Sequence, residues 1–469
     1  MKLQFIKNNI LLILISALSL FLSVYKLNSL MTFIGDQGWF YISARDLLLT
    51  HDIPLVGIAS SHVWLHQGAL WTYVLAVLLK LFNFNPLAGG YFTAVLGSIT
   101  VFVAYVLSEK LFSKKVGLIA AFLFATSPLI ILNSRMPYHT SLVPIFTLFL
   151  IFSVFKWIRG KPIYFPIALG ILTILYNLEI ATFSLFATFS IIFIYGIFKK
   201  KNWIKGLLNR KIITLSLLFF LIPMIPMLLY DLNHGFPQTV KFVIWLFYKA
   251  AVIFGYPELH PGSISESWST FGKFNMEALK NLIYIKNSFI SAFIFLISVG
   301  LLFKLSYGDL KSKSKKISNI LLLLFFAIPS LFFLAAKTGS AAYLPMLYPQ
   351  VLIIIAVFFS QIMKKGTLTI AGLTLILLIG FSNVYVLLSN NYFHGISYSR
   401  RLEVAYEIIK TANGKEYNII GRGENSKYES FVTPYTYLTW WLGKGVSEKP
   451  EKLKFYITEY PDKIKLEVK

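Results

Sequence analysis

The stretch IITLSLLFFLIPMIPMLLY, residues 212–230, contains no charged residue and is almost entirely apolar. The hydrocarbon core of a bilayer is about 30 Å thick, and a helix needs about 20 such residues to cross it. Arg210 and Lys211 precede the stretch, and Asp231 follows it. The stretch therefore predicts a transmembrane helix whose ends are marked by charge.

The composition extends this prediction to most of the chain. Of the 469 residues, 57% are hydrophobic and 14% are charged, whereas soluble domains carry about 25% charged residues. A water-soluble globule is excluded, and the chain is predicted to be an all-α polytopic membrane protein. The chain has no Cys, so disulfides and thiolate metal sites are excluded as well.

Stretches of spanning length recur along the chain. The first follows Lys2 and Lys7 as a signal peptide would, but no small-residue cleavage site follows it, so we interpret it as an uncleaved anchor. The eleven predicted spans are residues 9–28, 87–108, 116–133, 141–156, 162–178, 180–198, 212–230, 287–304, 318–336, 344–362 and 367–388.

The distribution of Lys and Arg predicts the orientation of these spans. Cytoplasmic connections collect basic residues, and here alternate connections do so, most clearly 199–211 and 304–316. The N-terminus is therefore predicted on the cytoplasmic side of the cytoplasmic membrane. The long segments 29–86 and 231–286 are predicted on its outer side. The net charge of +24 then reflects topology and attraction to anionic lipid. A nucleic-acid partner has little support.

Two segments fall outside the pattern of spans. Residues 69–82 are apolar but short, which favours an interfacial helix on the outer surface. The composition changes near residue 389, beyond which a helical stretch at 403–410 and alternating stretches at 417–420 and 454–458 predict a small α/β domain. We therefore predict a transmembrane domain over 1–388 and an extracytoplasmic α/β domain over 389–469.

Asp36 is the strongest catalytic candidate. It follows the first span in the stretch GDQGWFY (residues 35–41), an aromatic setting near the predicted outer interface. A partly desolvated carboxylate there can act as a general base toward an incoming hydroxyl. The alternative is a structural one, in which Asp36 caps the helix that begins at Gln37.

Three cationic or ionisable side chains are candidates for binding a phosphate. Arg135 lies at the outer end of the third span, where its guanidinium can bind phosphate through two hydrogen bonds. Lys337 stands in a very short outer connection, and His66 precedes the interfacial helix. The alternatives are a snorkelling structural Arg and a His satisfied by backbone.

Glu179 is the clearest ionisable residue at membrane depth. It lies in the tight outer turn between two spans, where an unpaired charge is unfavourable. It is interpreted either as an acid facing the substrate or as an ordinary turn residue. Tyr138 and His139, which follow Arg135, are further candidates for substrate binding.

These features together resemble the C-type glycosyltransferases. The resemblance rests on the acid after the first span and on three segments: GLIAAFLFATSPL (117–129), SRMPYHTSLVPIF (134–146) and YLPMLYPQVLIIIA (343–356). It covers residues 1 to about 388. Among them, the chain resembles the group that contains the protein O-mannosyltransferases and the lipid A aminoarabinose transferase, glycosyltransferase family 39.

The resemblance implies roles for several residues. Asp36 matches the acid of the family's first outer loop, and Gln37 stands where a second acid is frequent. A single carboxylate weakens any case for metal, so no cofactor is predicted, although a divalent metal is left open. His66 lies where relatives carry a Lys that contacts donor phosphate. Lys337 and Tyr343 match the family's cation and tyrosine before the late span, and Tyr343 joins the predicted substrate-binding residues.

The activity implied is transfer of a sugar from a polyprenyl phosphate, outside the cytoplasmic membrane, to a glycan, lipid or protein acceptor. Asp36 would deprotonate the acceptor, and the cations would stabilise the leaving phosphate. A transporter or flippase of lipid-linked oligosaccharides is one alternative, although no internal repeat typical of transporters is visible. A polymerase that uses a lipid-diphosphate donor is another.

Overall fold

The computed structural model describes residues 2–60, 64–256, 268–285, 287–312, 317–336, 340–364, 366–389 and 395–469. These residues form a helical bundle that carries a small sheet near its C-terminus. The predicted phosphate-binding residue Lys337 lies outside the described residues.

Most of the chain is helical. The described α-helices are α1 (Lys2–Val24), α2 (Leu27–Leu30), α3 (Gly35–Thr50), α4 (Leu70–Leu81), α5 (Leu87–Leu111), α6 (Lys114–Thr126), α7 (Pro128–Ser134), α8 (Val143–Ile158), α9 (Tyr164–Leu178), α10 (Phe183–Phe198), α11 (Asn202–Lys205), α12 (Arg210–His234), α13 (Phe242–Ile253), α14 (Trp268–Ile283), α15 (Ser288–Lys311), α16 (Ser318–Ala336), α17 (Tyr348–Ile362), α18 (Gly366–Ser389), α19 (Tyr398–Ala412) and α20 (Thr433–Trp441). The strands are β1 (Val56–Ala59), β2 (His66–Gly68), β3 (Asn418–Arg422), β4 (Lys454–Glu459) and β5 (Ile464–Val468).

Each of the eleven predicted spans overlaps a described α-helix, and the span predicted at 116–133 is divided between two, α6 and α7. Within the described residues, eight helices are long and apolar enough to cross a membrane, and the pair α6 and α7, bent by 64°, makes a ninth if it is one span. The first and fifth predicted spans are shorter apolar helices, Asn9–Val24 and Tyr164–Leu178. The chain is thus a multi-pass membrane protein, while the count of eleven crossings stays a prediction.

The helices differ in how much of their surface faces the protein. In the most apolar window of α17, 78% of residues are buried, against 17% in α12 and α15. An apolar helix that exposes most of its side chains requires an apolar solvent. Helix α17 therefore lies inside the bundle, whereas α12 and α15 face lipid over most of their surface.

The connection between α1 and α5 is folded against the bundle. It contains α3, the antiparallel pair β1 and β2, and the predicted helix α4. Trp71, Leu75 and Leu79 on α4 are fully buried, because their spacing of four residues places them on one helix face. The strand pair was not predicted, since three or four residues are too few to show alternation.

The C-terminal region, residues 395–469, has the predicted α/β character. Strand β4 is central and pairs parallel to β3 and antiparallel to β5. Helix α19 is tied to the sheet through Arg401, whose buried guanidinium makes two hydrogen bonds of 2.8 and 2.9 Å to the Glu459 carboxylate. The predicted helix at 403–410 and strands at 417–420 and 454–458 are confirmed, to within their ends.

This C-terminal region also packs directly on α3. Tyr398, Tyr437 and Leu438 belong to the same hydrophobic core as the membrane helices, and the Tyr437 hydroxyl donates to the Phe84 carbonyl at 2.7 Å. The division into two domains at residue 388 stays a prediction. The contact matters because α3 carries the candidate base.

Candidate active site

Asp36 is the second residue of helix α3 and does not cap it. The helix begins at Gly35, and the backbone N–H of Ile34 is satisfied by the side-chain oxygen of Gln37 at 3.0 Å. The capping alternative for Asp36 is therefore wrong. The carboxylate is left available for contacts beyond its own helix, in the first turn, where the helix dipole favours a negative charge.

Two hydroxyl groups donate to this carboxylate. The Tyr138 hydroxyl lies 3.1 Å from Oδ2 of Asp36, and the Ser430 hydroxyl lies 2.9 Å from Oδ1. Hydrogen bonds to an ionised acceptor are roughly twice as strong as neutral ones. The two donors come from opposite sides of the site, one from the bundle and one from the C-terminal region.

Tyr138 links Asp36 to two other predicted site residues. Burial raises the pKa of its phenol well above the ordinary value, and the nearby carboxylates of Asp36 and Glu179, the hydrogen bond to Asp36 and the phenol of Tyr343 raise it further. Tyr138 therefore stays protonated and acts as a donor at neutral pH. The predicted residues Asp36, Tyr138, Glu179 and Tyr343 are close enough to interact electrostatically.

Glu179 is enclosed in the turn between α9 and α10. Its side chain is 2% exposed, and its carboxylate accepts a 3.1 Å hydrogen bond from the Ala181 N–H. The side-chain amide of Gln67 lies 3.4 and 3.5 Å from its two oxygens. Burial raises the pKa of Glu179 to about 7, and both of these hydrogen bonds oppose the rise. The acid can thus hold or release a proton near neutral pH.

We expect this buried acid to make the stability of the protein depend on pH. Between pH 4.5, the pKa of an unperturbed Glu, and about 7, folded Glu179 keeps a proton that the unfolded chain loses. Stability should therefore fall as pH rises through this window, by on the order of 3 kcal/mol. Glu179→Gln, which stays neutral, should remove this dependence from thermal unfolding curves recorded in detergent at pH 5 and pH 8.

The control for this variant is Glu407→Gln on α19, where the side chain is exposed. It should keep the wild-type difference between the two pH values. Equal pH dependence in wild type and Glu179→Gln would show that Glu179 is ionised throughout.

His66 is held by its own strand pair and by the chain after α12. Its Nδ1 lies 3.2 Å from the Gly57 carbonyl oxygen, and its backbone N–H donates to the side-chain oxygen of Gln238 at 2.9 Å. Gln238 is 1% exposed and also donates to the Trp64 carbonyl. These contacts favour the alternative of a backbone-satisfied His, and phosphate binding by His66 stays a prediction.

His139 and Arg135 are both buried away from solvent. The His139 ring lies against Phe40 and Tyr138, with ring centroids 5.4 and 3.9 Å away. Arg135 has no exposed surface, and its guanidinium donates to the Leu22 carbonyl on α1. The contact with α1 favours a structural role for Arg135, although a fully buried guanidinium does not snorkel to water. Its role in phosphate binding stays a prediction.

Sequence reasoning missed two contributors to the site, Gln67 and Ser430. Gln67 is fixed by a 3.0 Å hydrogen bond from the Ile180 N–H to its side-chain oxygen, which orients its amide toward Glu179. The feature of the sequence that could have indicated Gln67 is its position beside His66 in HQG (66–68). No feature of the sequence indicated Ser430, because it lies 394 residues from Asp36 along the chain.

The described part of the chain contains no group of three or more His, Cys, Asp or Glu side chains arranged to hold a metal ion. The arrangement found there is instead an acid with two hydroxyl donors and a second, buried acid nearby. A carboxylate held by two hydroxyl donors suits proton transfer from a bound hydroxyl or amine.

Known structures share this arrangement of helices. ArnT from Cupriavidus metallidurans bound to undecaprenyl phosphate aligns with a TM-score of 0.58 and 9% identity, over 96% of this chain and 93% of that one. The fold is that of the C-type glycosyltransferases.

A family model described as dolichyl-phosphate-mannose-protein mannosyltransferase matches residues 66–230, which is less than half of the chain. No curated protein sequence matches the chain.

Archaeal relatives of this fold are longer. The Archaeoglobus fulgidus oligosaccharyltransferase, solved with Zn and sulfate, aligns with a TM-score of 0.57 and 15% identity over 94% of this chain. The same organism's oligosaccharyltransferase AglB, in complex with an inhibitory peptide and a dolichol-phosphate, aligns with a TM-score of 0.51 and 12% identity over 92%. This chain spans 59% and 63% of their lengths.

Proposed function

We propose that the protein is a glycosyltransferase that moves a sugar from a polyprenyl-phosphate carrier to an acceptor at the outer face of the cytoplasmic membrane. The observation that carries the proposal is the Asp36 carboxylate, held by the hydroxyls of Tyr138 and Ser430 on a C-type glycosyltransferase fold. The match to the mannosyltransferase family model supports glycosyl transfer as the general activity. ArnT bound to undecaprenyl phosphate and AglB with a dolichol-phosphate support a lipid-phosphate carrier.

The proposed reaction is a direct displacement at the anomeric carbon. Asp36 accepts the proton of the acceptor hydroxyl or amine while the acceptor atom bonds to the anomeric carbon. The bond from that carbon to the phosphate oxygen breaks, and its electron pair leaves with the polyprenyl phosphate, so the configuration inverts. Tyr138 and Ser430 each donate a hydrogen bond to one oxygen of this carboxylate.

The remaining predicted residues surround this reaction. Glu179, Tyr138, His139 and Tyr343 are proposed to line the substrate site. Lys337, His66 and Arg135 are proposed to stabilise the charge that develops on the departing phosphate. Of these three, His66 and Arg135 have backbone partners, and Lys337 lies outside the described residues.

Purified protein in nanodiscs, supplied with radiolabelled polyprenyl-phosphate sugars and membrane extract as acceptor, tests the proposal. Label should pass from the lipid phosphate to an acceptor, and free polyprenyl phosphate should accumulate. Parallel reactions with lipid-diphosphate oligosaccharides test the polymerase alternative. Movement of intact lipid-linked sugar across a liposome bilayer, without transfer, would instead identify a flippase.

The proposed orientation is testable because the chain contains no Cys. A single Cys replacing Glu407, which is exposed on α19, should react with a membrane-impermeant maleimide in intact cells. The matched control is a single Cys replacing Asn202, exposed in the basic connection after α10, which should react only after permeabilisation. The reverse pattern would place the C-terminal region in the cytoplasm and overturn the outer-face assignment.

A further inference from the structure

The contact between Ser430 and Asp36 joins the two ends of the chain. Ser430 lies in a short 3-10 helix, Glu429–Val432, immediately before α20. Its hydroxyl donates to Oδ1 of Asp36 at 2.9 Å, while Tyr138 donates to Oδ2. Each carboxylate oxygen therefore receives one hydrogen bond, and this pair of donors restricts rotation of the carboxylate about its χ2 torsion.

The backbone around Ser430 is held tightly against the start of α3. The Thr433 hydroxyl hydrogen-bonds to the Gly35 carbonyl and lies 2.7 Å from the Ser430 carbonyl oxygen. A Cβ placed on Gly35 would lie 2.7 Å from that same oxygen, a distance that real Cβ atoms do not reach. The close approach thus depends on glycine at position 35, and the Ser430 hydroxyl is fixed by more than its own hydrogen bond.

An ionised carboxylate accepts about four hydrogen bonds. Tyr138 and Ser430 occupy two of these sites, so each oxygen keeps a lone pair for the proton of an acceptor. Two donors from separate parts of the structure define the plane of the carboxylate, whereas one donor would leave it free to rotate. The direction in which Asp36 presents its remaining lone pairs therefore depends on the C-terminal region.

We infer that Ser430 is a positioning residue for Asp36, so that the C-terminal region completes the catalytic site of the helical bundle. This inference rests on the proposed function. It assigns the C-terminal region a role in catalysis, because a side chain of that region donates a hydrogen bond to the proposed base. Ser430 acts through Asp36 and needs no contact with either substrate.

The test is the kinetics of Ser430→Ala, Ser430→Thr and wild type in the nanodisc assay. Ser430→Ala should lower kcat about tenfold to a hundredfold, the loss expected when a reacting group is misplaced by about 1 Å, and should leave the KM for the lipid donor unchanged. Ser430→Thr restores the hydroxyl and should recover most of the lost kcat. Ser426→Ala is the matched control, since Ser426 lies in the preceding 3-10 helix, Glu424–Lys427, and its hydroxyl donates to the Gly423 carbonyl.

Three results would overturn the inference: a kcat of Ser430→Ala within twofold of wild type, a kcat above wild type, or no recovery in Ser430→Thr. The second result would mean that Ser430 obstructs the base. The third would mean that the alanine variant fails through altered packing.

A thermal-stability cycle separates this inference from the proposed function. Asp36→Ala, Ser430→Ala and the double variant should show non-additive changes in unfolding temperature, because each single change removes the hydrogen bond between Asp36 and Ser430. If Asp36→Asn is inactive while Ser430→Ala is fully active, the positioning role fails and the proposed function stands. If the wild-type protein transfers sugar from none of the lipid donors, the proposed function fails. The positioning role, which depends on it, then fails too. The thermal-stability cycle would still show whether Ser430 and Asp36 interact.

Discussion

Replacing Asp36 by Asn is expected to lower the rate of sugar transfer by about 10²–10⁴-fold, the range found when a general base is removed. Asn has nearly the same shape but cannot accept the acceptor's proton. Its single side-chain oxygen can take one of the two hydrogen bonds that Tyr138 and Ser430 now donate, and its NH₂ group faces the other donor. The chemical step should therefore lose its base while binding of the lipid donor changes little.

The measurement is single-turnover transfer in nanodiscs, with thermal unfolding recorded on the same preparations. Asp46→Asn is the matched control, because Asp46 is on the same helix, pairs with Arg45 at 2.6 Å, and has a side chain 46% exposed. An exposed pair contributes about 0–1 kcal/mol, so this variant should transfer at nearly the wild-type rate. Full activity in Asp36→Asn would show that Asp36 is not the general base, and the proposed mechanism would then be wrong.

The membrane helices were predictable because one physical requirement dominates their sequence. A span must present about 20 apolar residues to lipid, and the stretch at 212–230 does so without a charge. The bend between α6 and α7 was not predicted, because the break at Thr126, Ser127 and Pro128 is too short to divide the apolar stretch at 116–133 into two segments. The Ser127 side chain accepts from the Ile130 N–H and starts α7 there.

The candidate site was predictable in its residue types and only partly in its contacts. Asp36, Tyr138 and Glu179 were identified from their positions at span ends, and Tyr343 from the family resemblance. The structure brings the four side chains close enough to interact around Tyr138. The partners Gln67 and Ser430 were not identified, because neutral polar residues in connecting segments carry no signal of which charged group they meet. Hydrogen bonds between distant segments follow from packing, which local sequence does not encode.

Replacing Gly38 by Ala should separate the C-terminal region from α3. A Cβ at this position would lie 2.4 Å from the Pro434 nitrogen and 2.6 Å from the Thr433 carbonyl carbon. Both are backbone atoms at the start of α20, so no side-chain rotation relieves the overlap. Overpacking of this kind costs about 1–3 kcal/mol and occasionally more, and the gain in helix propensity from Gly to Ala returns only about 1 kcal/mol.

The expected result is a lower unfolding temperature together with a loss of transfer at least as large as that of Ser430→Ala. The two effects are coupled because Ser430 precedes the displaced residues by only three or four positions, so any shift of α20 also moves its hydroxyl away from Asp36. Unfolding temperature in detergent and single-turnover transfer measure the two effects on one sample.

Gly308→Ala on α15 is the control, since a Cβ there meets no heavy atom within 4 Å. Its unfolding temperature should stay unchanged or rise slightly, and its transfer rate should equal wild type. If Gly38→Ala matched this control in both measurements, a shift of α20 away from α3 would affect neither stability nor transfer. Close packing of the C-terminal region on α3 would then not be needed to position Asp36.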